Sequence, residues 1–192
     1  MANILAPFGF AEAYKLSGAP TYQMSRKRIA SSNGSAIYKG DPVVQLSTGY
    51  ITVASPGTTQ IAGIFMGCEY QSISQKKPIW SPYWPGSDAN GDVICTIIDD
   101  PSTVFRVQAN AQLLFTAVGN NANFAIGTGS ATTGLSGATL DVSTVNTTST
   151  LPFKVVELVY DPPGSNGADT TTAYNLAYVV FNWQDYKSTT GI

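Results

Sequence analysis

Histidine is absent from the chain, and charge is scarce: Asp, Glu, Lys and Arg together make up 11% of its 192 residues. A soluble domain usually carries roughly 25%. Without histidine, the Ser-His and Cys-His nucleophile pairs are impossible, and zinc loses its commonest nitrogen ligand. The only two cysteines, Cys68 and Cys95, stand 27 positions apart. That spacing fits no zinc or redox motif. Both thiols lie in apolar, strand-like runs, so buried cysteines are expected and a disulfide is left open. No run approaches the roughly 18 apolar residues of a membrane span. The opening MANILAPFGF lacks the charged region and long apolar stretch of a signal peptide. These absences lead us to expect a protein made in the cytoplasm, with no membrane partner, no cofactor, no metal and no catalytic activity.

What is present is apolar and uncharged-polar. Hydrophobic residues reach 43%, enough for a real core, and Ser, Thr, Asn, Gln and 18 Gly take the place of charge. A weakly charged polar surface desolvates cheaply on meeting a partner, although plain β-sandwiches also show such faces. The net charge of −2 is unevenly spread. Residues 1–77 carry +4, including Arg26, Lys27 and Arg28, and residues 78–192 carry −6. A basic front section suits an acidic protein surface. Nucleic-acid binding would need a denser basic field and a pI far above 4.9.

Turn residues and apolar runs predict a mainly β chain, a small β-barrel or β-sandwich spanning 36–192 with long loops. Val43–Leu46 and Tyr50–Val53 read as a hairpin. Ile61–Tyr70 reads as a long strand with a bulge or close packing at Gly63 or Gly67. Val93–Ile98, Val104–Val107, Phe153–Tyr160 and Tyr174–Trp183 read as further strands, the last two joined by a loop over 161–169. Residues 109–126 read as helical or mixed, and 127–150 as a Gly/Ser/Thr-rich loop. Residues 1–35, punctuated by Pro7, Gly9, Gly18 and Pro20, read as an extended arm whose Phe8, Phe10, Tyr14 and Tyr22 would bury on a neighbour. An irregular wrap over the protein's own core is the alternative.

The candidate chemical motifs fail on geometry or spacing. Asp99 and Asp100 are the best carboxylate pair, but adjacent strand residues point to opposite faces, and Pro101 marks a turn. Asp88-Ala-Asn90-Gly-Asp92 loosely echoes a calcium loop, but the glycine required at the sixth place is Val93. Gly127–Gly134 has the wrong spacing for a dinucleotide fingerprint. The segment with Trp80, Tyr83 and Trp84, stiffened by Pro82 and Pro85, is the strongest binding feature. Its rings suit a protein contact or a sugar, or simply cover one end of the fold.

Several segments resemble small structural proteins of tailed phages. They include Ala6-Pro7-Phe8-Gly9-Phe10, Gly40-Asp41-Pro42-Val43-Val44, Val118-Gly119-Asn120-Asn121, Leu151–Val156 and Phe181-Asn182-Trp183-Gln184-Asp185-Tyr186. The Gly-Asp-x-Val turn followed by a hairpin resembles the β-domain of head decoration proteins. The family ending often carries His where Trp183 stands, and no candidate site residue falls there. The resemblance implies a capsid cement or decoration protein, often trimeric, on the exterior of an HK97-type shell, with the major capsid protein as partner. Its implied localisation is the virion, after synthesis in the host cytoplasm. The expected contact residues are Phe8, Phe10, Tyr14, Arg26, Lys27, Arg28, Trp80, Tyr83 and Trp84. A carbohydrate-binding module of a phage fibre, and a tail or connector subunit, stand as alternatives.

Overall fold

A computed structural model describes residues 2–19, 23–160, 169–189 and 191. The expectations for Pro20, Tyr22 and most of the loop over 161–169 lie outside the described residues. In chain order the first strands are β1 (Ala11–Lys15), β2 (Ser25–Ile29), β3 (Ile37–Tyr38), β4 (Pro42–Gln45) and β5 (Ile51–Val53). Next come β6 (Gly63–Gln71), β7 (Pro78–Ser81), β8 (Tyr83–Trp84), β9 (Val93–Ile98) and β10 (Thr103–Gln108). A 3-10 turn, Phe115–Ala117, precedes β11 (Asn121–Ala125), β12 (Thr139–Asn146), β13 (Phe153–Leu158) and β14 (Leu176–Phe181).

The strands form two large antiparallel sheets. The first runs β1-β10-β14-β13-β11-β12; the second runs β2-β9-β6-β4-β5, with β7 also paired to β6. A two-stranded piece, β3-β8, completes the pairing. The arrangement is sandwich-like, and one hydrophobic cluster draws on both sheets. Phe105, Phe124, Phe153 and Phe181 of the first sheet meet Ile64 and Ile98 of the second. A second cluster, with Phe65, Cys68, Trp84, Cys95 and Ile97, fills the opposite face of the second sheet. Strand β6 shows why its sequence reads as an almost unbroken apolar run. Ile64 and Met66 serve one cluster while Phe65 and Cys68 serve the other, so both faces are covered.

The second sheet curls until its outer strands β2 and β5 approach each other. No ladder joins them, so the barrel alternative gives way to an open, curled sheet. Side chains bridge this side instead: the Lys27 ammonium donates to Gln45 Oε1 at 3.1 Å, and Asn33 Nδ2 to Thr52 Oγ1 at 3.2 Å.

Two expectations are corrected. The described part of residues 1–35 does not form a free arm. They supply an edge strand to each sheet, β1 on β10 and β2 on β9. The segment ahead of β1 is tied to the protein's own fold: Ala6 N–H donates to Gln108 Oε1, and Gln108 Nε2 donates to Ile4 O, both at 2.9 Å. Its aromatic residues were the clue to burial, and the surface that buries Phe10 is internal. Residues 127–150 are not all loop, because Thr139–Asn146 forms the edge strand β12 on β11. Residues 109–126 are mixed, holding the 3-10 turn and β11.

Phe10 is 1% exposed and stacks on Phe153 with ring centroids 4.3 Å apart. Phe10→Ala is therefore expected to destabilise the fold by about 3–5 kcal/mol. Denaturant unfolding should show the midpoint falling with an unchanged m-value.

Candidate interaction surface

Pairing across four strands brings separate sequence segments onto one outward face. Arg26 and Arg28 of β2 stand opposite Thr96 and Ile94 of β9. Ile94 in turn stands opposite Glu69 of β6, and Glu69 opposite Trp80 of β7. Residues directly across a ladder share a face. Arg28, Ile94, Glu69 and Trp80 thus make one row, with Arg26 and Thr96 beside it. Trp80 is 63% exposed and Ile94 41%, both unusual for large apolar side chains on a sheet.

A β-bulge seats the tryptophan. The β6–β9 register shifts between Phe65 and Gly67, and Gly67 takes a φ of 151°. A Cβ at Gly67 would stand 3.0 Å from Ser81 O and 3.3 Å from Trp80 Cζ2. The missing side chain therefore lets the indole edge pack against β6. A groove of about 410 Å³ lies beside Trp80 and Ile94, lined also by Glu69, Gln71, Pro78 and Asp92. Another, of about 370 Å³, lies past the arginines beside Thr48 and Tyr50. Exposed Lys76 and Lys77 at the β6–β7 turn add positive charge near this face. Arg28 has one close acidic neighbour, Asp92 at 3.8 Å, a solvent-exposed pair of little strength.

Of the nine expected contact residues, Arg26, Arg28 and Trp80 share this face. Lys27 points the other way along β2, to Gln45 and over the Tyr186 ring at 5.9 Å from its centroid. Tyr14 is exposed on the first sheet, edge-to-face with Tyr178, and Phe8 lies half-buried with the Arg106 guanidinium 5.3 Å from its ring centroid. Phe10 and Trp84 are core residues, and their expected contact role is corrected. Trp84 is fully buried, donates its indole N–H to Asn33 O at 3.2 Å and meets Tyr70 edge-to-face. Half-buried Tyr83 stacks on Tyr38 at 5.4 Å. Sequence reasoning missed Ile94 and Glu69. In a strand where nearly every side chain is apolar, the alternation that turns Ile94 outward leaves no polar signal.

No protein-family model, curated protein or solved structure matches the chain.

The groups considered for chemistry are engaged in holding the fold. Cys68 and Cys95 face each other across β6 and β9 as free, buried thiols, and burial pushes both up to about 12. A nucleophilic or metal-binding cysteine needs the thiolate near neutral pH. Asp99 is 5% exposed; its carboxylate accepts from Ser25 Oγ at 2.8 Å and from the Tyr186 hydroxyl at 3.1 Å. Asp88 accepts from Ser72 Oγ and Ser74 N–H, and Asp92 from the Tyr50 hydroxyl. The loosely calcium-like stretch therefore spends its carboxylates on different loops. Among the described residues, no group of three or more Cys, Asp and Glu is placed to hold a metal. No helix among them is long and apolar enough to cross a membrane.

Asp100 carries the clearest pH signature. Desolvation raises its pKa, but the Lys15 ammonium at 2.5 Å and the hydroxyl and N–H of Ser102 outweigh it and hold the carboxyl at about 2. A depressed folded pKa contributes stability that is complete above the unfolded value of 3.8 and is lost as pH falls through about 2. Asp100→Asn should therefore cost roughly 1 kcal/mol at neutral pH, since water still reaches the pair. The gap from the parent protein should shrink between pH 4 and pH 2. Urea midpoints of both proteins across that window check the sign, and a gap that widened in acid would refute it.

Proposed function

We propose that the chain is a non-catalytic virion structural protein: a cement or decoration protein on the outer face of a tailed-phage capsid, clamping neighbouring major capsid protein subunits. The contact half of the reading is carried by one observation, the gathering of Arg26, Arg28, Ile94 and Trp80 on a single outward sheet face. Trp and Arg are the residue types that most often anchor protein interfaces. The arginine forks suit carboxylates on an opposing surface. A rigid sheet displays them, so little ordering entropy is lost on contact.

The capsid half is supported by the resemblance of Ala6–Phe10, Gly40–Val44 and Phe181–Tyr186 to phage structural proteins. All three segments sit at fold-determining places in this chain. Ala6–Phe10 crosses Gly40, Gly40–Val44 opens β4, and Phe181–Tyr186 leads from β14 to the Gln184 and Tyr186 bonds at Asp99. In this reading each copy adds a modest contact that fits only the mature lattice, so mass action across many copies stabilises that lattice.

The test is cryo-electron microscopy of capsids of the encoding phage, decorated with parent or variant protein. Trp80→Ala should weaken attachment at least about tenfold. Arg26→Glu with Arg28→Glu should abolish it at moderate salt, and circular dichroism should be unchanged in each variant. Full occupancy by a protein carrying all three substitutions would sink the assignment of this face.

A second reading, carbohydrate binding, is favoured by the groove where Trp80 stands beside Glu69, Gln71 and Asp92, a ring with hydrogen-bonding neighbours. Trp84 is withdrawn from that platform because it is buried. Specific binding on a glycan array, lost in Trp80→Ala, would decide for this alternative.

A further inference from the structure

The second sheet brings the chain's two cysteines into register, with Cys68 of β6 directly opposite Cys95 of β9. Neighbouring bonds fix which kind of pair this is. Phe65 spends its backbone on the β4 side, donating to Asp41 O at 2.9 Å and accepting from Gly40 N–H at 2.8 Å. Its pairing with Ile97 of β9 is therefore a non-hydrogen-bonded one. The bulge adds its extra residue to β6, so the alternation continues unbroken along β9. Thr96 is hydrogen-bonded to β6, and Cys95 is not. The β7 side gives the same answer. Ser72 N–H donates to Lys77 O at 3.0 Å, and the register steps back through Tyr70 and Ile79 to Cys68 and Ser81. Cys68 thus turns its backbone groups to β7 and away from Cys95.

In a non-hydrogen-bonded pair the Cα atoms stand about 4.5 Å apart and the side chains lie closest. A disulfide accepts Cα separations of roughly 4.4–6.8 Å. Both thiols are free and point to the same side, into the cluster with Phe65, Trp84 and Ile97. A bond between them would enclose β7 and β8, and with them Trp80, in one covalent loop.

We infer that Cys68 and Cys95 are a redox-convertible pair, which a low-molecular-weight disulfide such as oxidised glutathione joins into a cross-strand disulfide within one chain. The step is two thiol exchanges. One cysteine thiolate attacks a glutathione sulfur and releases a glutathione thiolate; the other then attacks the mixed disulfide and releases the second. The two cysteines lose two electrons and two protons, and the oxidant leaves as two thiols. Burial sets when this happens. Cys68 is 2% exposed and Cys95 0%, and burial holds both thiols at about 12, far from the thiolate form. The bond therefore closes during folding, or when β6 and β9 part locally. The inference does not rest on the capsid reading.

Refolding the full chain from reducing guanidinium chloride tests it, with reduced glutathione alone or with reduced and oxidised glutathione together. Thiols are counted with dithiobis(nitrobenzoate) in denaturant, alongside intact mass and peptide mapping. The oxidised sample should show no free thiol, the mass of a monomer less two hydrogens, and a peptide joining Cys68 to Cys95. Its guanidinium midpoint should rise, with an unfolded population about thirtyfold smaller or less. Cys68→Ala and Cys95→Ala should each lose the joined peptide and the oxidant-dependent rise. A refolded parent that keeps both thiols, or ends as a glutathione adduct or a linked dimer, overturns the inference. So does a disulfide form that unfolds at lower denaturant than the reduced form.

Discussion

The crossing of residues 8–10 over Gly40 is the contact on which the rest of the fold depends. Phe10 N–H donates to Gly40 O at 3.0 Å, and Gly40 N–H donates to Phe65 O at 2.8 Å, so the N-terminal segment, the entry to β4 and the first part of β6 meet at one point. Gly9, at a φ of 75°, makes this possible. A Cβ there would stand 2.7 Å from Ser136 Cβ and 2.8 Å from Gly40 O. Beneath the crossing, the Asp41 carboxylate accepts from Tyr38 N–H at 2.7 Å and Ser136 Oγ at 2.5 Å. Burial raises its pKa, and these two bonds only partly offset that, so Asp41 is held for geometry rather than for favourable charge. The crossing delivers Phe10 onto Phe153 and lays β1 on β10, and it brings residue 136, just ahead of β12, against the second sheet.

The same crossing decides which surfaces remain for partners. With the N-terminal segment consumed by the fold, the basic residues of β2 become part of a rigid sheet face. Strand pairing through β9 and β6 then puts Arg28 in one row with Trp80, some fifty positions later in the chain. The two outward surfaces differ in kind. One presents Trp80 and Ile94 in a row with Glu69 and Arg28; the other, around Phe115, is apolar.

Much of the fold was legible wherever apolar residues run nearly unbroken along a strand. Strands β6, β9, β13 and β14 announce themselves as apolar runs, and the β4–β5 hairpin is marked by its Gly-containing turn. The edge strands were not legible. In β2, Ser25-Arg-Lys-Arg-Ile29 has one buried side chain, Ile29, and reads as a charged segment. In β12, Thr139–Asn146 carries β-branched residues, but their Ser/Thr-rich setting resembles a loop until β11 supplies its ladder. The surface was half legible for a related reason. Trp80 and Trp84 are four positions apart, a spacing that would place both on one face of an uninterrupted strand. Pro82 interrupts it, so Trp80 stays on β7 in the second sheet while Trp84 pairs with Ile37 and turns inward. The sequence shows the proline but not which side of the break faces water.

The scarcity of charge is more pronounced at the surface than composition suggests, because many of the acids are tied into turns. Asp100-Pro-Ser102, Asp141-Val-Ser143 and Asp169-Thr-Thr171 repeat one local device: each carboxylate accepts both the N–H and the hydroxyl of the residue two places on. Asn33 does the same for Ser35 N–H, and Asp88 gathers Ser72 and Ser74. Such side chains give a loop-rich chain turns that need no helix or ladder. A carboxylate already bonded to its own backbone is a poorer partner for an incoming cation. Arg28, by contrast, has only a long, solvent-exposed pairing with Asp92. The low charge count thus leaves an apolar surface around Leu114 and Phe115, and a second face on which Arg26 and Arg28 share a sheet surface with Ile94, Glu69 and Trp80.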